Sequence, residues 1–153
     1  MLRTSLNDAL KAAMRDRDSA TTSTLRLILA ALKDRDIAAR PSGNQGGIGD
    51  AEILSMLQGM IKQRRESIVL YEKGNRADLV DKETAEIVVI ERFLPRQMDE
   101  SAAAAAIGAV IQEVGASSVK DMGRVMAELK TRHAGQMDFA KASALVKQRL
   151  GAA

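Results

Sequence analysis

The 153-residue chain has no cysteine and no tryptophan, a single histidine, two prolines and three aromatic residues, Tyr71, Phe93 and Phe139. The absence of cysteine excludes disulfides and thiolate metal sites, and it fits a cytoplasmic address. A metal site would need several His or acidic ligands converging, and no such spacing surrounds the lone His133. With so few aromatics the core must be built from Leu, Ile, Val, Ala and eight Met, a composition that favours packed helices over a large sheet. Long apolar runs are missing as well. Leu27 to Leu32 falls far short of the roughly 20 residues that span a bilayer. The opening stretch, Met1 to Asp8, lacks the apolar segment of a signal peptide. Neither a membrane nor a metal nor any cofactor is expected as a partner.

Charge of one sign is also lacking. The net charge is +3 and the isoelectric point is near 9.4, a mild basic bias. Dividing the chain after Met98 leaves 16 basic against 14 acidic residues before the cut and 7 against 6 after it. Any basic surface must therefore arise from spatial arrangement rather than from totals. The length suits one or two small domains. An apolar content of 46 % and a charged content of 28 % are ordinary for a globular protein and argue against disorder.

The apolar periodicity predicts an all-α protein: an N-terminal helical domain over 1–98 followed by a three-helix tail over 99–153. Helix one is expected from Ser5 to Arg15, with Leu6, Leu10, Ala13 and Met14 at helical spacing. Helix two is expected from Ser19 to Ala39, with Leu25, Ile28, Leu29 and Leu32 inward. The stretch Arg40 to Gly49 holds four glycines and a proline and reads as a mobile linker. It lacks the preceding strand and the Lys-Ser/Thr pair of a phosphate-binding P-loop. Asp50 is expected to cap helix three, which runs to Lys73 and is closed by Gly74 at the C′ position. Asn75 is expected to cap helix four, which Pro95 stops. In the tail, Asp99 starts an Ala-rich helix that Gly115 ends. A second helix spans Lys120 to Arg132, with Met122, Val125, Met126 and Leu129 inward, and Asp138 caps a third. A bundle of about 50 residues is marginal but feasible.

No self-sufficient catalytic constellation stands out. Ser117-Ser118-Val119-Lys120 contains Ser-x-x-Lys, formally a nucleophile motif, but its partner motifs are absent. Ser117 and Ser118 read as loop and cap ahead of a helix. His133 reads as a cation at a helix end. Asp78, Asp81, Glu83 and Glu86 read as acidic residues stabilising the start of helix four. The basic positions say more. Lys120 and Arg124 lie one turn apart, with Gly123 between them permitting close approach. Lys130 and Arg132 close the same helix, and Lys147 lies on the next. Phosphate oxygens are met by such cations and by backbone amides.

Two stretches carry a resemblance to a known family. One is Glu66-Ser67-Ile68-Val69-Leu70-Tyr71-Glu72-Lys73-Gly74-Asn75-Arg76-Ala77-Asp78-Leu79, continuing through Glu83-Thr84-Ala85-Glu86-Ile87 to Phe93-Leu94-Pro95. The other is Val114-Gly115-Ala116-Ser117-Ser118-Val119-Lys120-Asp121-Met122-Gly123-Arg124-Val125-Met126. Together they resemble the GatB/YqeY family, small bacterial proteins whose C-terminal part is similar to the tail of the B subunit of the tRNA-dependent amidotransferase. The stretch Pro41 to Gly49 departs from the shorter, more acidic connection expected of that family. The resemblance implies an all-helical fold and a tail that holds tRNA by its elbow, with Lys120, Gly123 and Arg124 facing the RNA. Lys130, Arg132 and Lys147 complete the candidate RNA-binding set. The catalytic parts of the larger enzyme have no counterpart here. Any carbon–nitrogen ligase label with glutamine as amide donor is therefore inherited from that enzyme, and would apply only within a larger assembly. The expected partners are tRNA, or an aminoacyl-tRNA synthetase or amidotransferase to which the chain is an adaptor. An exposed methionine strip around Met122 and Met126 would favour the adaptor.

Overall fold

A computed structural model describes residues 1–151. Seven α-helices and two single 3-10 turns are formed among them, and no strand. They divide into two compact units, Met1–Leu94 and a second beginning at Pro95.

The first unit contains α1 (Leu2–Arg15), α2 (Ser19–Ala39), α3 (Asp50–Lys73) and α4 (Ala77–Glu91). Its core is aliphatic: Leu6 from α1, Leu25, Ile28 and Leu32 from α2, Ile53, Leu57 and Ile61 from α3, and Ile87 and Ile90 from α4. Each such side chain contributes roughly 1.5–3 kcal/mol on leaving water. Arg64 lies on the inward strip of α3, donating to Glu86 of α4 at 2.8 Å, with Glu83 at 4.0 Å. Glu83 and Glu86 therefore fasten α4 to α3 rather than serving the N-terminus of their own helix. Asp78, in the first turn of α4, is held by the Arg76 guanidinium at 3.0 and 3.1 Å.

Local signals placed three helix boundaries differently from the structure. The first helix begins at Leu2, before Ser5, because the Leu2 N–H finds an acceptor in Asp50 at 3.3 Å. Asp50 is consequently not a cap. Gly49, extended, precedes α3, and Asp50 is its first helical residue. Asn75 does not cap α4 either. It takes the left-handed conformation at φ +54°, where its N–H and that of Arg76 close α3 onto Glu72 O and Tyr71 O. Gly74 at φ −88° is not the left-handed residue.

The glycine-rich connection is anchored. Asp36 accepts two bonds from Arg3, at 2.6 and 3.0 Å, and one from the Ile48 N–H at 2.9 Å, while Arg3 also donates to Ile48 O. Ile48 is buried in the core. The mobile-linker expectation is corrected: a single apolar residue at the end of the loop, with a salt bridge beneath it, fixes the path.

The second unit contains α5 (Glu100–Glu113), α6 (Met122–Arg132) and α7 (Phe139–Gly151), with a 3-10 turn, Val119–Asp121, leading into α6. Ile107, Val110, Val125, Leu129, Met137, Ala142, Val146 and Leu150 form its core. Asp99 caps α5 through the Ala102 N–H, and Asp138 caps α7 through Ala140 and Lys141. Pro95–Met98, expected with the first domain, hangs on this unit: Met98 N–H donates to Gln136 O and Gln97 Nε2 to Gly135 O.

Candidate nucleic-acid interface

The approach to α6 is set by Asp121. Its Oδ2 accepts the N–H groups of Ser117 at 2.9 Å and Ser118 at 3.2 Å, and its Oδ1 accepts Arg124 at 2.9 Å. These bonds, led by that from the Ser117 amide, hold the Asp121 carboxyl down at about 2. The serines of Ser-x-x-Lys thus belong to a turn locked by a carboxylate three residues on, a capping-box pattern with Asp in place of Glu. That Ser-x-x-Asp spacing was the signal in the sequence for this anchor. Arg124 reaches further and donates to Val114 O at 3.0 Å, tying the end of α5 to the start of α6.

Lys120, Gly123, Ala127 and Lys130 follow at three- and four-residue steps, and all four are exposed. Gly123, Ala127 and Lys130 share one face of α6, and Lys120 lies in the 3-10 turn that leads into it. Neither lysine forms an ion pair or hydrogen bond with a described residue. Between them the surface is small. A Cβ added at Gly123 would meet nothing, so packing does not require glycine there. Gly123 is the second residue of α6, where glycine costs less than the roughly 0.5–1 kcal/mol relative to alanine that it costs in a helix interior. Gly108 on α5 differs, because the Arg149 guanidinium passes 2.8 Å from where its Cβ would stand.

The remaining candidates are dispersed. Arg132 is bonded to Glu128 at 2.6 Å and to Glu113, and these carboxylates raise its already high pKa. Its charge is balanced locally. Lys147 is exposed on α7, directly after the buried Val146. His133 Nδ1 lies 3.1 Å from Gln136 Oε1 in the turn after α6. Met122 and Met126 are half-buried against the second core, so they do not form the exposed strip that an adaptor would present.

A small all-helical protein of two units, with a cation-bearing face on its tail, is the class these features define. The chain matches the Yqey-like protein family over residues 3–150, and it belongs to that family. Altered inheritance of mitochondria protein 41 of Pyrenophora tritici-repentis is 31 % identical over 130 residues, covering 80 % of this chain and 68 % of the relative. The protein of the same name from Lachancea thermotolerans is 32 % identical over 89 residues, 58 % of this chain and 46 % of the relative. That from Kluyveromyces lactis is 30 % identical over 88 residues, 58 % and 45 %. The matched part is thus less than half the length of the last two relatives.

These relatives are fungal and bear mitochondrial names, which corrects the cytoplasmic address. That expectation rested on the missing cysteine, and a cysteine-free chain fits any reducing compartment equally well. No helix among the described residues is long and apolar enough to cross a membrane, and no cluster of potential metal ligands occurs among them.

Proposed function

We propose that the chain is a non-catalytic RNA-binding module whose α6 face meets folded RNA, of which tRNA is the class implied by the resemblance to the amidotransferase tail. The observation that carries this reading is Gly123: an exposed helical glycine that packing does not need, set between two unpaired lysines. A residue that leaves open space above the backbone suits close approach by a bulky ligand. RNA helices offer mainly phosphates and 2′-hydroxyls to a protein, and a short basic helical face can engage these by shape without reading bases. Arg124, anchored by Val114 and Asp121, has donors to spare for a phosphate oxygen. Contact through a synthetase or amidotransferase loses support, because Met122 and Met126 pack inward.

The test is a titration of labelled, folded tRNA at low and near-physiological salt. With three cations engaged, log affinity should fall with log salt at a slope of about −2 to −3. Lys120→Glu/Lys130→Glu should abolish saturable binding while leaving the fold intact, since neither lysine has an intramolecular partner. Gly123→Leu should weaken binding while leaving the fold intact, since nothing lies within 4 Å of an added Cβ. Equal binding by the double variant would refute the reading.

A further inference from the structure

Five hydroxyl residues stand in the first six positions of α2: Ser19, Thr21, Thr22, Ser23 and Thr24. Two of them are satisfied locally, one by the N-cap and one within the helix. Thr21 Oγ1 donates to Asp18 at 2.7 Å, and Thr24 Oγ1 donates to Ala20 O at 3.2 Å. The hydroxyls of Ser19, Thr22 and Ser23 have no partner among the described residues, and these three line an open groove of about 620 Å³. Thr22 is 9 % exposed and lines the groove; its hydroxyl has no partner among the described residues and stays within reach of solvent.

Arg17, Arg26, Met14 and Leu27 complete the lining. Ser19, Thr22, Ser23, Arg26 and Leu27 recur at helical steps on one face of α2, and Met14 and Arg17 come from the end of α1 and the turn after it. Neither arginine is ion-paired among the described residues. The nearby carboxylates are engaged elsewhere: Asp16 lies 4.0 Å from Arg15, and both oxygens of Asp18 accept from Thr21, with the charge of Arg92 facing it. Met14 and Leu27 are about half exposed, at 51 % and 47 %.

Arg17 is notable for its backbone. Three helices close with the same pair of amide bonds, and the left-handed position is filled by Gly115 after α5, Asn75 after α3 and Arg17, at φ +56°, after α1. A long side chain is disfavoured there, and glycine would relieve the strain. Arg17 lines the same groove as Ser19, Thr22 and Ser23.

We propose that this groove binds a small phosphomonoester with an apolar or planar body, of the nucleotide class. Arg17 and Arg26 donate charge-assisted bonds to the phosphate oxygens, with Ser19, Thr22 and Ser23 supplying neutral donors. Met14 and Leu27 cover the body, against which a guanidinium plane also stacks. The site uses no residue of the α6 face and does not depend on the RNA-binding reading.

The experiment is an NMR titration of the isotope-labelled full chain with adenosine monophosphate, with inorganic phosphate and with adenosine. The expected result is saturable shifts confined to residues 14–27, with the nucleotide bound about tenfold tighter than either fragment. Arg26→Ala and Thr22→Val should each weaken nucleotide binding about fivefold or more. Arg17→Gly should raise the thermal midpoint while weakening binding, opposite signs that a purely structural arginine would not give. Lys120→Glu/Lys130→Glu should leave nucleotide affinity unchanged, which separates this site from the RNA face. The proposal is overturned if no saturable shift appears in 14–27, if either fragment binds as tightly as the nucleotide, or if Arg26→Ala binds like the parent.

Discussion

Gly43 and Gly47 both take a positive φ, +91° and +89°, but a side chain would meet different surroundings at the two positions. At Gly43 an added Cβ reaches nothing within 4 Å; at Gly47 it would stand 2.7 Å from Arg3 Nη2 and 2.8 Å from Asp36 Oδ1. Gly43→Ala should therefore cost only the left-handed strain, about 1–2 kcal/mol. Gly47→Ala incurs the same strain and must also open the Arg3–Asp36 pair, with its bonds to Ile48. Those groups are partly exposed, with side-chain exposures of 37 % and 22 %, so solvent screening limits the further loss to about 1–2 kcal/mol. Urea denaturation of both variants, with thermal melts alongside, measures the difference. For a unit of about 90 residues the midpoint of Gly47→Ala should lie about 5–10 °C below that of Gly43→Ala. Equal losses in the two variants would refute the idea that Asp36 and Arg3 fix the loop, and would return it to the status of a free linker.

Leu129 is fully buried in the second unit, and Leu129→Ala should cost about 2–5 kcal/mol. A unit this small has little stability to lose, so amide protection should collapse across α5–α7 while α1–α4 stay protected. Joint loss of protection in both units would contradict their separate cores. Asp121 yields a pH prediction. Its folded-state pKa of about 2 lies below the ordinary 3.8, so its bonds stabilise the turn fully above about pH 4 and are lost as the pH falls toward 2. An acid titration of the α6 amides should show this loss, and Asp121→Asn should be less stable at neutral pH with a flatter profile over that window. An unchanged profile in the variant would show that Asp121 does not hold the turn.

Most of the helices were legible because period-3.6 patterning survives without tertiary information. The run around Leu25 to Leu32 appears as a helix with Leu25, Ile28 and Leu32 buried, and the third helix and the Ala-rich helix form where they were expected. Caps were legible only where the acceptor is local. Asp99 and Asp138 each serve an amide two or three residues ahead, as their positions suggested. Asp50 instead meets the amide of Leu2, and Asn75 closes the helix before it rather than opening the one after. The candidate RNA face was legible in the spacing of Lys120, Gly123 and Arg124, but the balance of charge on it was not. That Arg132 lies between Glu113 and Glu128 while Lys120 and Lys130 stay unpaired depends on which helices lie side by side.

Composition and periodicity alone determined an all-helical chain with an aliphatic core, since three aromatics and no cysteine leave few other ways to bury surface. Only the tertiary structure decided what the polar residues do. Asp36, Glu83 and Glu86 find their partners at sequence separations of 12 to 33 residues. The Ser19–Thr22–Ser23 face became a groove only because the end of α1 lies against it. Hydrophobic patterning is a property of one segment and can be read from it, whereas a salt bridge or a cavity belongs to two segments and exists only once they have met.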